Sequence, residues 1–151
     1  SVEQLSGPGS KIEVMGAVDD ATLLDLLRRC SALVFPDTED FGIVPLEAQA
    51  CGTPVVALGA GGALDSVVDG LTGRLYMPRS GDDEVETLAH ELTTFDPGRY
   101  DGRRIREHAE RFSPEAFRAG IEGAVEALVR GAAPRIQGHH AHAQNEERRT
   151  L

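Results

Sequence analysis

Three apolar runs, "ALVFPD", "TPVVAL" and "RLYM", recur along the middle of the chain, and each leads into a turn and then a segment of helical character. Runs this short and this rich in Val, Leu and aromatic residues suit strands covered on both faces. A fourth run, "KIEVMGAV" at residues 11–18, reads as a strand ahead of them. Between this run and "ALVFPD", "DDATLLDLLRRCS" carries leucines at positions 23, 24, 26 and 27, a helical stripe capped by Asp19 or Asp20. A short helix is expected from Val44 to Ala50, ended by Gly52. Another is expected from Ala63 to Val68, opened by the "GAGG" loop, and a third from about Asp83 to Leu92. Strands alternating with helices at this spacing predict an α/β fold, a Rossmann-like doubly wound parallel sheet with helices on both faces.

After Asp101 the pattern turns helical. "GRRIREHAERF" reads as a charged helix with a solvated face, and Ser113-Pro114 as the cap of "EAFRAGIEGAVEALV". The domain is expected to span residues 1–129. Residues 130–151 lack periodicity and are expected to form a disordered tail. No internal repeat is visible. The first residue is Ser rather than Met, and strand character begins within a dozen residues, so the N-terminal part of a longer protein is expected to be missing.

The chain's 151 residues suffice for one core, and a 40% hydrophobic content excludes a disordered class. A formal net charge of -10 argues against nonspecific nucleic-acid binding, which needs a basic surface. An anionic ligand would have to be held by local amides and helix ends. Cys30 and Cys51 lack CxxC spacing and are expected to be buried, reduced thiols in a reducing compartment. No apolar run is long enough to span a bilayer, and no signal peptide is visible. The three histidines of "GHHAHAQ" (His139, His140 and His142) allow a metal site in principle, but no acidic or Cys ligands complete the set. "LGAGG" does not fit a dinucleotide fingerprint, since residues 59–64 read G-A-G-G-A-L.

The chemistry-bearing stretch is "EDFGIVPLE", Glu39 to Glu47. It follows "ALVFPD", and ligands of open α/β sheets bind outside the carboxyl ends of the strands. Pro45 suits a first helical turn, which leaves the amides of Phe41, Gly42 and Ile43 at or just before a helix N-terminus. Such amides and the positive helix end attract phosphate, and Gly42 permits close approach. Glu39 and Glu47 flank them as strong hydroxyl acceptors. That arrangement matches a phosphorylated sugar or a nucleotide sugar. Two other readings stand beside it. Glu47 can simply be a favourable charge near a helix start and Glu39 a solvated loop residue. The pair can also be the acid and base of a glycosidase, although those carboxylates usually come from separate strand ends.

"FPDTEDFGIVPLEAQACGTPVVA" resembles the signature of the GT-B retaining glycosyltransferases of family 4, the glycosyl transferases group 1. "VMGAVDDATLLDLLRRCSALVFP", "GGALDSVVDGLTGRLY" and "RFSPEAFRAGIEGAVEAL" resemble its neighbouring segments in order and spacing, over roughly residues 5–129. The resemblance implies the C-terminal, donor-binding half of a GT-B enzyme. It implies that Glu39, the residue nearest the chemistry, holds hydroxyls of the donor sugar. The amides of Phe41, Gly42 and Ile43 would face sugar and diphosphate, Glu47 would bind the ribose hydroxyls, and Gly16 to Val18 would lie beside the base. The wording resembles mannosyltransferase members, which points to GDP-mannose among GDP- or UDP-linked donors. No cofactor and no catalytic metal are expected.

The chain departs from the family pattern in two ways. Asp65 stands where Glu is usual. The upstream Arg and Lys that neutralise the diphosphate have no counterpart, since Lys11 is the only lysine and lies in the wrong segment. The expected function is transfer of a hexose from a nucleotide sugar, with retention, to a saccharide or lipid-linked acceptor held by the missing N-terminal domain. The alternative is an inactive nucleotide-sugar-binding module or the donor subunit of a split enzyme. The expected location is cytoplasmic, or peripheral at the inner membrane face for the full-length protein.

Overall fold

The computed structural model describes residues 11–131. Helix α1 (Asp20–Arg29) starts where the Asp19 side chain accepts from the amide of Thr22 at 2.8 Å. Then follow β1 (Leu33–Phe35), α2 (Ile43–Ala50), β2 (Val55–Leu58), α3 (Ala63–Ser66), β3 (Gly73–Tyr76) and α4 (Glu84–Thr94). A 3-10 turn at Pro97–Arg99, α5 (Gly102–Ala109), a second 3-10 turn at Glu110–Phe112 and α6 (Pro114–Val129) complete the described fold.

The strands form one parallel sheet in the order β1-β2-β3. Leu33 pairs with Val55 and Val55 with Gly73. Alternation along the strands divides the side chains between two faces. Leu33, Phe35, Val55, Ala57 and Leu75 pack with Leu23 and Leu27 of α1, Ala48 of α2, and Ala63 and Val67 at α3. On the other face Arg74 reaches α4, donating to Glu91 Oε2 at 3.0 Å and Thr94 Oγ1 at 2.9 Å. Val55, Val56 and Ala57 of the central strand are fully buried. Both faces are therefore covered, as expected of a doubly wound α/β sheet.

Several boundaries move. Helix α2 starts one residue earlier than expected, at Ile43, and α3 stops at Ser66. Helix α4 runs on to Thr94. Residues 11–18 are not a strand: they are irregular, and all but Val18 are exposed. A strand needs a ladder partner for its backbone groups. Among the described residues the sheet holds only β1, β2 and β3, and residues 11–18 join none of its ladders.

Two other expectations are corrected. Cys30 is exposed and Cys51 only half-buried, both as free thiols. Cys30 caps α1 instead of lying within it. Its Sγ turns back to the Leu27 carbonyl (3.4 Å), and partial burial raises its pKa above the ordinary thiol value. Helix α5 is not merely a solvated face, because Ile105 and His108 are buried and the helix packs on α2. Its opposite side does face water, where Arg103 and Glu107 pair at 3.0 Å. Residues 132–151, which include His139, His140 and His142, lie outside the described residues. No described helix is long and apolar enough to cross a membrane.

Candidate functional site

The loops after β1 and β2 leave the sheet side by side at its carboxyl edge and meet there. The amide of Gly62 donates to the carbonyl of Glu39 at 2.6 Å. A side chain on Gly62 would collide with the backbone of Phe41, and one on Gly61 with the Glu39 carbonyl. The second loop therefore packs its bare backbone against the first, and glycine at 62 is a steric requirement.

Gly42 caps α2 in the left-handed conformation, φ 76° and ψ 61°. It offers no side chain to the helix start. The amides of Phe41, Gly42 and Ile43 donate to no acceptor among the described residues. Pro45, buried in the first turn, has no amide to donate. The N-terminus of α2 thus presents a run of unsatisfied donors at the positive end of the helix dipole.

Glu39 lies in the β1–α2 loop and is exposed. Phe41 is exposed too, with its ring edge-on to Phe112 at 6.4 Å between centroids. Glu47, on the second turn of α2, is exposed between two grooves. One, of about 430 Å³, is lined by Phe41, Ile43, Glu47, Arg106, Glu110 and Phe112 among others. The other, of about 440 Å³, runs between α1 and α2 and is lined by Asp20, Leu23, Leu27, Arg28 and Glu47 among others. Gly16 (φ 64°) and Val18 lie just before α1 and line neither groove. Asp20, two residues after Val18, does share the second groove with Glu47. Asp65 is exposed in the single turn of α3.

Four residues around the site escaped the sequence reading. Arg106 donates to the Cys51 carbonyl at 3.2 Å and ties α5 to the end of α2. Phe112 supports Phe41. Ser66 and His108 are buried beneath the loops. The apolar spacing of Ile105, His108, Ala109 and Phe112 carries the signal for a buried face on α5. Among the described residues no group of three or more His, Cys, Asp or Glu side chains is placed to hold a metal.

The parallel sheet, with its loops gathered around a helix N-terminus at the strand ends, defines a ligand-binding α/β domain. A family model described as "Glycosyl transferases group 1" matches residues 4–95, and the chain belongs to that family. It is 45% identical over 96 residues to a D-inositol 3-phosphate glycosyltransferase of Kribbella flavida, covering 62% of this chain and 22% of the relative. It is 35% identical over 131 residues to a protein of the same description from Segniliparus rotundus, covering 84% of this chain and 28% of that one. An uncharacterised glycosyltransferase of Methanocaldococcus jannaschii is 31% identical over 120 residues, covering 79% of this chain and 34% of that one. The chain thus spans about a fifth to a third of these relatives' lengths. Among solved structures it resembles Anabaena HepE in complex with UDP. The TM-score is 0.52 at 27% identity, covering 68% of this chain and 29% of that one.

Proposed function

We propose that this chain is the donor-binding domain of a glycosyltransferase that moves a hexose from a nucleoside-diphosphate sugar to an acceptor hydroxyl. The observation that carries the reading is the run of undonated amides at Phe41, Gly42 and Ile43, at the head of α2. A diphosphate would accept from those amides and gain from the helix dipole. Glu47, one turn on, would take the ribose hydroxyls, and Glu39 the hydroxyls of the sugar. Gly16 to Val18 would border the base. The likeness to HepE, a protein solved in complex with UDP, supports a nucleotide-linked donor. The donor would be UDP- or GDP-linked, with mannose as one candidate sugar.

Retention would arise without a covalent carboxylate intermediate, the departing phosphate assisting attack from the same face. Several relatives are named for D-inositol 3-phosphate, which makes a phosphorylated polyol a candidate acceptor beside the saccharide or lipid-linked classes. The acceptor would be held by a second domain.

Calorimetric titration with UDP and GDP, with Glu47→Ala as control, tests the donor site. Saturable binding that the variant loses supports it. Binding equal in both proteins removes Glu47 from the site.

A further inference from the structure

Helix α3 is a single turn, so its last carbonyls lack helical partners. Ser66 is buried, and its carbonyl is one of these. It accepts from Gln49 Nε2 of α2 at 3.0 Å and meets His108 Nε2 of α5 at 3.2 Å. A carbonyl only accepts, so His108 Nε2 carries the hydrogen. The two donors use both lone pairs of that oxygen. The Ser66 hydroxyl in turn donates to the Gly62 carbonyl at 3.0 Å. It also lies under Gly42, where an added Cβ would sit 3.7 Å away. His108 stacks in a second direction. Its ring is tilted against Phe112 at 5.5 Å, and Phe112 meets the ring of Phe41 edge-on.

We propose that His108 is a positioning residue that fixes the Glu39–Ile43 loop from below, through the Ser66 carbonyl on one side and the Phe112 ring on the other. The polar route runs His108, Ser66, Gly62, Glu39; the aromatic route runs His108, Phe112, Phe41. Both end on the segment whose amides head α2. His108 sits 42 residues from Ser66 in sequence. It holds α5 and α3 in the one arrangement that presents those amides together. The consequence for donor affinity rests on the donor-site reading above; the positioning of the loop does not.

Two variants separate positioning from bulk stability. In His108→Gln the side-chain amide can still donate to Ser66 O, whereas in His108→Leu nothing can. Amide hydrogen exchange is read at Gly62, whose N–H bonds Glu39, and at Val55, whose N–H bonds Thr72 in the sheet. The leucine variant is expected to lose protection at Gly62 while Val55 keeps its own, and the glutamine variant is expected to restore Gly62. Equal loss at both amides, or none at Gly62, overturns the proposal. UDP titration of the same proteins is expected to show roughly tenfold weaker binding in His108→Leu and near wild-type binding in His108→Gln. Wild-type affinity in the leucine variant overturns the link to the donor. If the wild-type chain binds neither UDP nor GDP, the donor-site reading fails, and the exchange experiment still decides the positioning of the loop.

Discussion

The amide of Gly62 bonds the carbonyl of Glu39 at 2.6 Å, and this one bond joins the loops that follow two adjacent parallel strands. Gly62 itself has ordinary helical angles, φ -64° and ψ -17°. Its identity is dictated by space, because a Cβ would fall on the Phe41 backbone. Gly42 is the reverse case. Its φ is 76°, yet an added Cβ would meet Pro45 Cγ at an ordinary 3.5 Å. Gly42→Ala should therefore cost about 1–2 kcal/mol through backbone strain alone. Gly62→Ala should cost about 1–3 kcal/mol and also displace the Phe41 backbone. Denaturant unfolding measures the cost. Amide spectra of residues 40–43 should move far more in Gly62→Ala; equal movement in both variants would contradict the distinction.

Asp19 caps α1, and the Thr22 side chain foremost, then the Thr22 amide, lower its pKa below the ordinary carboxylate value. A depressed folded-state pKa contributes stability above the unfolded value and loses it as pH falls through the folded one. Unfolding should therefore show an acid-side decline that Asp19→Asn lacks while retaining the cap. Identical acid profiles for the two proteins would remove Asp19 from the account.

Tyr76 closes β3 at 2% exposure, and its hydroxyl has no hydrogen-bond partner among the described residues. Tyr76→Phe should be neutral or stabilising by on the order of 1 kcal/mol, since a buried unpaired hydroxyl is a cost. Burial foremost, and then the negative charge of Glu84, raise the phenol's pKa above the ordinary value near 10. The sign follows from the raised value. The neutral phenol's contribution is fully present below the unfolded pKa and is lost as pH rises through the folded one. Alkaline unfolding should begin later in Tyr76→Phe. A marked loss of stability in that variant at neutral pH would show that the hydroxyl has a partner.

The three sheet strands and α2 were legible because each is a compact apolar run or is bracketed by Gly42, Pro45 and Gly52. Residues 11–18 have the composition of a strand yet are irregular and join no ladder of the described sheet, since composition alone does not set strand pairing. Cys30 was misplaced by a single position: one residue past the end of α1, it loses the cover of the stripe that buries Leu27. The amides of the site could be inferred from Gly42 and Pro45. Their support could not, because it depends on β1 and β2 being adjacent and on α5 folding back beneath α3. His108 and Ser66, 42 residues apart, meet only in three dimensions.

The central claim is that the head of α2 receives a nucleoside diphosphate. Amide-resolved titration of the ¹⁵N-labelled chain with UDP, repeated with GDP, tests it most directly. The account predicts that the amides of Phe41, Gly42 and Ile43 shift saturably with one of the two, and that Glu47→Ala weakens the effect by roughly tenfold or more, the scale for loss of a charged hydrogen bond. Saturable shifts centred elsewhere, with residues 41–43 unmoved, would contradict it.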